Sequence, residues 1–486
     1  MFLGKKTAVY KELAAFSLLL FLTLLNINVI RIYKDTLSIV GVGVPKIGLV
    51  KGILELPFSV LLMYTCAKLH TNLGRLPCFL ITIFFFTSFF YCFGFLFYPN
   101  QAVFSAKVES LINAATLNLA WKNVFFETAM LCLKTVVLQA PYVFLYIFGE
   151  VWVVVLYGYL IWSFIQVKTS KESAKKHFPI YTLIGQISII CSGYILLKAK
   201  YTINQLIGIH CEVKILALLI LMTSIMLTLS YFINYISFST VVLDGKKTNV
   251  QQIQRKKNYI VDIIEFLKKQ ANIRQMFIIL ICYGFLATLI HLIWFHYLTI
   301  YYDNNTSKLI DIQSYLNYFI GSFTIILGIM SKFVFKRFNW ETIFLSVPII
   351  SGIFAILFIG LVITTNSLGG LEYKGVSITY ITIIIGNIYY ILSRALKYIL
   401  FDTSKEIFFS WYNKNELVLS QGKSLVDVLA FKIGKSTGAF CATLALIFIQ
   451  QQVFLGFSYA ILLVSTTGAY YLWLLSGKKI RCNSIA

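Results

Sequence analysis

Charge is what this sequence has least of. Only 13% of its 486 residues are charged, against 59% hydrophobic, and the mean hydropathy is +0.81. No soluble domain can hide that much apolar surface, so a soluble fold is excluded. Acidic residues are scarcer still, 19 against 42 Lys and Arg, for a formal net charge of +23. On a soluble chain that excess would suggest nucleic acid. Here most of the cations lie in connections between apolar runs, where they set topology, and no nucleic-acid partner is expected. The nine cysteines form no CxxC and the five histidines no HExxH, so no metal or other cofactor is expected. The tetrapeptide GKST at Gly434 to Thr437 lacks the P-loop glycine five positions earlier, where Leu429 stands. QGKS at Gln421 to Ser424 fails in the same way, at Leu417. A nucleotide-hydrolysing motor is therefore excluded. A membrane-embedded enzyme would need a metal or an acid/base cluster, and none converges in sequence.

What is present is a series of apolar runs near twenty residues long, each able to cross the roughly 30 Å hydrocarbon layer as a helix. They are too long and continuous for barrel strands. We place them approximately at 14–32, 47–67, 77–98, 138–165, 178–197, 212–235, 275–299, 311–331, 340–364, 376–400, 425–450 and 453–475. The fold class is thus an all-α membrane protein of about twelve transmembrane helices. The first run has no small-x-small cleavage site after it and reads as a membrane helix, not a signal peptide. Trp121 to Val137 looks amphipathic and suits the membrane interface.

Basic residues set the orientation. Lys5, Lys6 and Lys11, Lys68 and Arg75, Lys168 to Lys176, Lys246 to Arg274, Lys332 to Arg337 and Lys478 to Arg481 fall in alternate connections. The other connections are sparse in cations, so both termini are expected in the cytoplasm. The longest basic connection divides the chain into two six-helix halves, 1–243 and 275–486, joined by a linker at 244–274. Within the linker, Asn258 to Gln270 has helical periodicity and is expected to lie on the cytoplasmic face. Two six-helix halves with a cytoplasmic linker is the plan of major facilitator proteins.

Charges inside the runs need a separate account, because charge in hydrocarbon is costly and marks pathways. Arg31, Lys34 and Asp35 share one face at the end of the first run. Lys51 and Glu55 stand one turn apart in the second, and Pro57 should weaken the helix there. Glu150 sits mid-run with no adjacent base in sequence. In the tenth run Asn387, Arg394 and Lys397 form a polar face beside Gly386, which Asp402 and Lys405 continue into the following loop. Asp427, Lys432 and Lys435 punctuate the eleventh. A cavity lined mostly by cations suits a polyvalent anion. Lys34, Glu150, Lys405, Arg394, Lys397, Lys51, His291 and Asn387 are the candidate substrate-binding residues. Arg31, Asp35, Glu55, Asp402, Asp427, Lys432 and Lys435 are candidates for gating or helix pairing.

Several of these segments resemble those of the ATP/ADP translocase family of nucleotide transporters. RIYKDTL is similar to the family's RSxKD segment, VKGILELP to its LK-x(4)-LP, and FLFYPN to its FVLYPN. GEVWVVVLYGYLIWSF resembles AELWGxxxLSLLFWQF. The two most specific matches are LSRALKYILFDTSKE to LSKGxKYSLFDxTKE, and SQGKSLVDVLAFKIGKSTGA to KGKAAVDVVGxRLGKSGGA. The resemblance implies a twelve-helix, major-facilitator-like fold and carriage of nucleotides, with functional roles at Lys34, Glu150 and Lys405. The family's VEGVWK segment reads IHLIWF here, so His291 replaces the acid and Phe295 the lysine. Two readings stand: a nucleotide transporter, or a paralogue that carries another phosphorylated or anionic metabolite, with His291 as a proton-coupling group. The expected partners are that anion and the lipid bilayer. The chain is expected to act as a monomer in the inner membrane of an intracellular bacterium.

Overall fold

The computed structural model describes residues 2–115, 134, 136–169, 181, 184–199, 202, 212–237, 265–367, 372–373, 376–410, 422–423, 425–450 and 455–480. Among these the regular structure is helical apart from two strands, Glu372–Tyr373 and Val376–Ser377, which pair antiparallel. The stretch Trp121 to Val137 lies almost wholly outside the described residues. Of the expected linker helix, Asn258 to Gln270, residues 258–264 lie outside them too, and 265–269 are helical.

Among the described residues, ten helices are long and apolar enough to cross a bilayer: Lys11–Val42, Arg75–Phe97, Ala140–Ile165, Glu212–Ser237, Ala271–Tyr301, Thr306–Arg337, Trp340–Ser367, Ile378–Phe409, Leu425–Gln450 and Leu455–Lys479. An eleventh crossing is a bent pair, Val44–Leu54 and Pro57–Leu73, which meet at 52°. Pro57 has no N–H to give the preceding turn, which explains a bend at this point. A shorter apolar helix, Ile184–Ala199, occupies the fifth expected position. Each expected crossing therefore contains an apolar helix, and the spans are numbered first to twelfth in chain order below. Gly43 (φ +94°) and Gly74 (φ +84°) make the tight breaks on either side of the bent pair, in backbone conformations that favour glycine.

One expectation needs correction. The polar residues after Lys397 do not run into a loop. Lys397–Phe401 is a π-helical segment and Asp402–Ser410 continues as α-helix, so Asp402 and Lys405 stay on the tenth span.

The chain divides into two compact units, Met1–Ser239 with Phe295–Ile325, and Thr240–Trp294 with Ile326–Ala486. In the first unit, the first span packs against the fourth and sixth. Asn26 ties the three together. Its Nδ2 donates to Thr223 Oγ1 (2.9 Å) and Ser224 Oγ (3.0 Å), and its Oδ1 accepts from Trp152 Nε1 (2.9 Å). A buried amide satisfied on both sides fixes helix register where apolar packing alone discriminates little. In the second unit, the ninth span packs against the tenth and twelfth. Tyr283, Phe344, Phe401 and Trp473 form its aromatic core. Large apolar side chains such as Phe84, Phe333 and Val464 stand outward, as lipid contact requires.

Candidate functional site

In the first unit the in-membrane charges converge on one aromatic ring. Lys34 is 2% exposed and donates to Asp35 Oδ1 and to Glu150 Oε1, the latter at 2.8 Å. Its Nζ lies 4.4 Å from the centroid of the Tyr146 ring, and Lys51 Nζ lies 5.8 Å from the same centroid. Asp35, Glu55 and Glu150 are all close enough to act electrostatically on the Tyr146 hydroxyl. The first, second and fourth spans thus bring two ammonium groups and three carboxyl groups around one phenol. Gly149 makes this possible, because a Cβ there would strike the aliphatic stem of Lys34. Arg31 donates to Asn28 Oδ1 at 3.3 Å.

The second unit pairs its cations along the tenth and eleventh spans. Lys405 Nζ donates to Asp427 Oδ1 at 2.7 Å, Lys397 pairs with Asp402 at 3.1 Å, and Lys423 with Glu406 at 2.6 Å. Lys435 lies 5.4 Å from the Phe431 ring centroid. Lys432 lies one turn earlier on the same helix. Arg394 is different. Its guanidinium rests 4.2 Å from the Tyr390 centroid, and among the described residues no carboxylate bonds it. Tyr390 in turn stacks on Trp294 (4.5 Å, 19°) and lies 5.4 Å from the His291 ring. Trp294 Nε1 donates to Asn387 Oδ1 at 2.9 Å. Gly386 lets Trp294 approach, since a Cβ would meet its ring. His291, Asn387 and Arg394, expected to bind substrate, are therefore gathered by two aromatic residues, Trp294 and Tyr390.

The missed residues share a signal. Tyr146 precedes Glu150 by four positions in the fourth span, and Tyr390 precedes Arg394 by four in the tenth. In a helix that spacing puts ring and charge on one face. A second feature left no mark in the sequence: the π-helical segments. Val50–Leu54 contains Lys51 and is followed by Glu55, Lys397–Phe401 is followed by Asp402, and Leu425–Ala430 contains Asp427. Val154–Ile161 begins one turn after Glu150. The extra residue in a π-turn redirects side chains, and such turns collect at functional sites.

The sequence profile of the TLC ATP/ADP transporter family matches residues 2–483. ADP,ATP carrier protein 3 of Rickettsia conorii is 26% identical over 464 residues, covering 91% of this chain and 89% of that protein. ADP,ATP carrier protein 4 of Rickettsia typhi is 27% identical over 466 residues, covering 92% and 87%. Among solved structures, the nucleoside transporter NupG is similar at a TM-score of 0.49 and 12% identity, covering 97% of this chain and 99% of that one. The xylose transporter XylE from E. coli, in its inward-open conformation, is similar at 0.47 and 11%, covering 96% of each. The match to the family profile runs from the second residue of the chain almost to its end, through every span that carries an in-membrane charge, and the chain belongs to the TLC ATP/ADP transporter family.

Proposed function

We propose that this chain is a secondary transporter that moves nucleotides across a membrane by alternating access, as an ATP/ADP-type exchanger or an importer of another nucleotide. Carriage without covalent chemistry is the activity proposed, with no cofactor. The family membership and the Rickettsia ADP,ATP carriers speak for the nucleotide.

The observation that carries the mechanism is how the buried cations are compensated. Lys34 is held by Asp35 and Glu150, and Lys405 by Asp427. An uncompensated charge away from water is expensive, so an empty carrier needs these internal carboxylates. An arriving polyphosphate offers better acceptors and displaces them. Each lysine then exchanges one anion for another and stays neutralised in both states. Arg394, which no carboxylate among the described residues bonds, is the group that engages phosphate first.

The rest of the arrangement is proposed on the same footing. Two six-span halves, 1–243 and 275–486, are joined by the basic segment 244–274. Both termini lie in the cytoplasm, and the protein works as a monomer in the inner membrane of an intracellular bacterium. Nucleic acid is not a partner.

The test is uptake of a panel of labelled nucleotides into cells expressing the protein, with and without preloaded counter-substrate. Saturable uptake of at least one nucleotide is expected. Uptake of a phosphorylated sugar with no nucleotide accumulated would overturn this reading in favour of the paralogue with different cargo.

A further inference from the structure

The Lys34 cluster deals with negative charge, but a nucleotide also has an uncharged end. A cavity of about 390 Å³ lies in the first unit, lined by Leu37, Val40, Gly41, Tyr98, Gln101, Ala102, Ser105, Gln139, Tyr142 and Thr306. Among the described residues, none that lines it is charged. The polar ones are two phenols, two carboxamides and two hydroxyls, which is the complement of a flat, neutral group rich in donors and acceptors.

The site is built around Tyr142. Its ring lies against Gly41, where a Cβ would come within 2.8 Å of the ring carbons. Phe93 packs edge-on at 5.5 Å, and Ser38 Oγ donates to the Tyr142 carbonyl at 2.9 Å. So held, the phenol donates to Gln101 Oε1. That bond uses one side of Gln101 and leaves its amide N–H groups available. Among the described residues, the Gln139 amide, the Ser105 hydroxyl and the Thr306 hydroxyl have no hydrogen-bond partner either. Four donor-acceptor groups thus stand unspent around one space, and Tyr142 among them is fixed in place.

The cavity is also placed correctly relative to the charges. Leu37 and Gly41 are one and two turns beyond Lys34 on the first span, and Tyr142 is one turn before Tyr146 and two before Glu150 on the fourth. Two helical turns are about 10 Å. A nucleoside with an extended phosphate chain spans such a distance.

We propose that this cavity is the subsite for the nucleoside end of the cargo, receiving base and ribose while the phosphates reach toward Lys34. The proposal rests on the nucleotide-transport reading and deepens it. It makes Gln101, Gln139 and Ser105 specificity-determining residues. A site built to hydrogen-bond its ligand discriminates strongly against ligands that leave those groups unpaired.

The experiment compares binding of ATP, GTP, UTP, CTP and inorganic tripolyphosphate to the purified full-length protein by titration calorimetry. Wild type, Gln101→Ala, Gln139→Ala and Ser105→Ala are measured, each first checked for a monodisperse profile and an unchanged melting temperature. Gln139→Asn serves where Gln139→Ala fails that check. Each carboxamide substitution is expected to weaken the preferred nucleotide roughly tenfold, the scale of one or two lost hydrogen bonds. The ranking of bases should change, and tripolyphosphate should bind as before. Nucleotide binding unaffected by any variant, or tripolyphosphate weakened in step with nucleotide, would overturn the subsite while leaving nucleotide transport standing. A wild type that binds and carries no nucleotide would overturn both.

Discussion

Arg394 and Lys34 handle positive charge inside the membrane in opposite ways. Lys34 is 2% exposed and bonded to two carboxylates, so its charge is neutralised by the protein. Arg394 has a ring beneath it and no carboxylate among the described residues. A guanidinium tolerates this better than an ammonium would, because it is weakly hydrated and stacks well on aromatic faces. If its role is to meet phosphate, Arg394→Ala should weaken nucleotide binding by about 1.5–3 kcal/mol, the scale of charged hydrogen bonds. Stability should change little, since no buried acid is orphaned. Arg394→Lys should recover only part of the loss, because a lysine offers no planar fork. Calorimetric binding and thermal melting of the two variants check this. A melting temperature that falls in step with affinity would make Arg394 a structural clamp instead. At this scale the charged residues were legible, because each is conspicuous against an apolar run. Tyr146 and Tyr390 were passed over, since aromatic residues are so abundant here that a ring four positions before a charge does not stand out.

Elements were easier to read than contacts between them. Hydropathy alone located the spans, as it should where every spanning helix must satisfy its own backbone. The purpose of Gly434 and Gly438 was hidden. Gly434 belongs to a tetrapeptide that fails as a P-loop, and in the structure it lies inside the helix Phe431–Gln450. A Cβ on Gly434 would strike the Ile281 carbonyl, and one on Gly438 would strike that of Phe285. The two glycines let the eleventh span lie directly on the backbone of the seventh, as small residues do between membrane helices. Gly434→Ala therefore forces two backbones apart. It should destabilise the protein by about 1–3 kcal/mol, the usual cost of overpacking. Gly468→Ala meets open space and is the control. Thermal melting in detergent distinguishes them, and equal melting temperatures would mean that the contact is not needed. The π-helical segments were illegible for a related reason. One inserted residue shifts the face of everything after it, and no composition or spacing rule marks where that occurs.

At the scale of the whole molecule, the compensated lysines have a kinetic consequence. A carrier must change its access with cargo bound and, for net uptake, must also return empty. On return, Lys405 has only its own carboxylates for company. It is bonded to Asp427 at 2.7 Å, and its side chain is 12% exposed. Occluding that ammonium without a partner would cost several kcal/mol. If phosphate takes the place of Asp427 in the loaded state, as proposed, Asp427→Asn removes the carboxylate that Lys405 bonds, leaves only the charges of Asp402 and Glu406 near it, and keeps the loaded state nearly intact. The variant should therefore bind nucleotide at least as tightly as wild type and exchange it across the membrane at a comparable rate. Net uptake into vesicles without internal nucleotide should fall by tenfold or more, since 1.4 kcal/mol added to the barrier of the empty return is already a factor of ten. Lys405→Gln with Asp427→Asn removes charge and countercharge together. It should restore the empty return while losing affinity, and so reverse the pattern of the single variant. Proteoliposomes loaded with nucleotide or buffer separate the two rates directly. Exchange and net uptake falling by the same factor in Asp427→Asn, with affinity unchanged, would mean that this ion pair holds the tenth span to the eleventh and takes no part in the transport cycle.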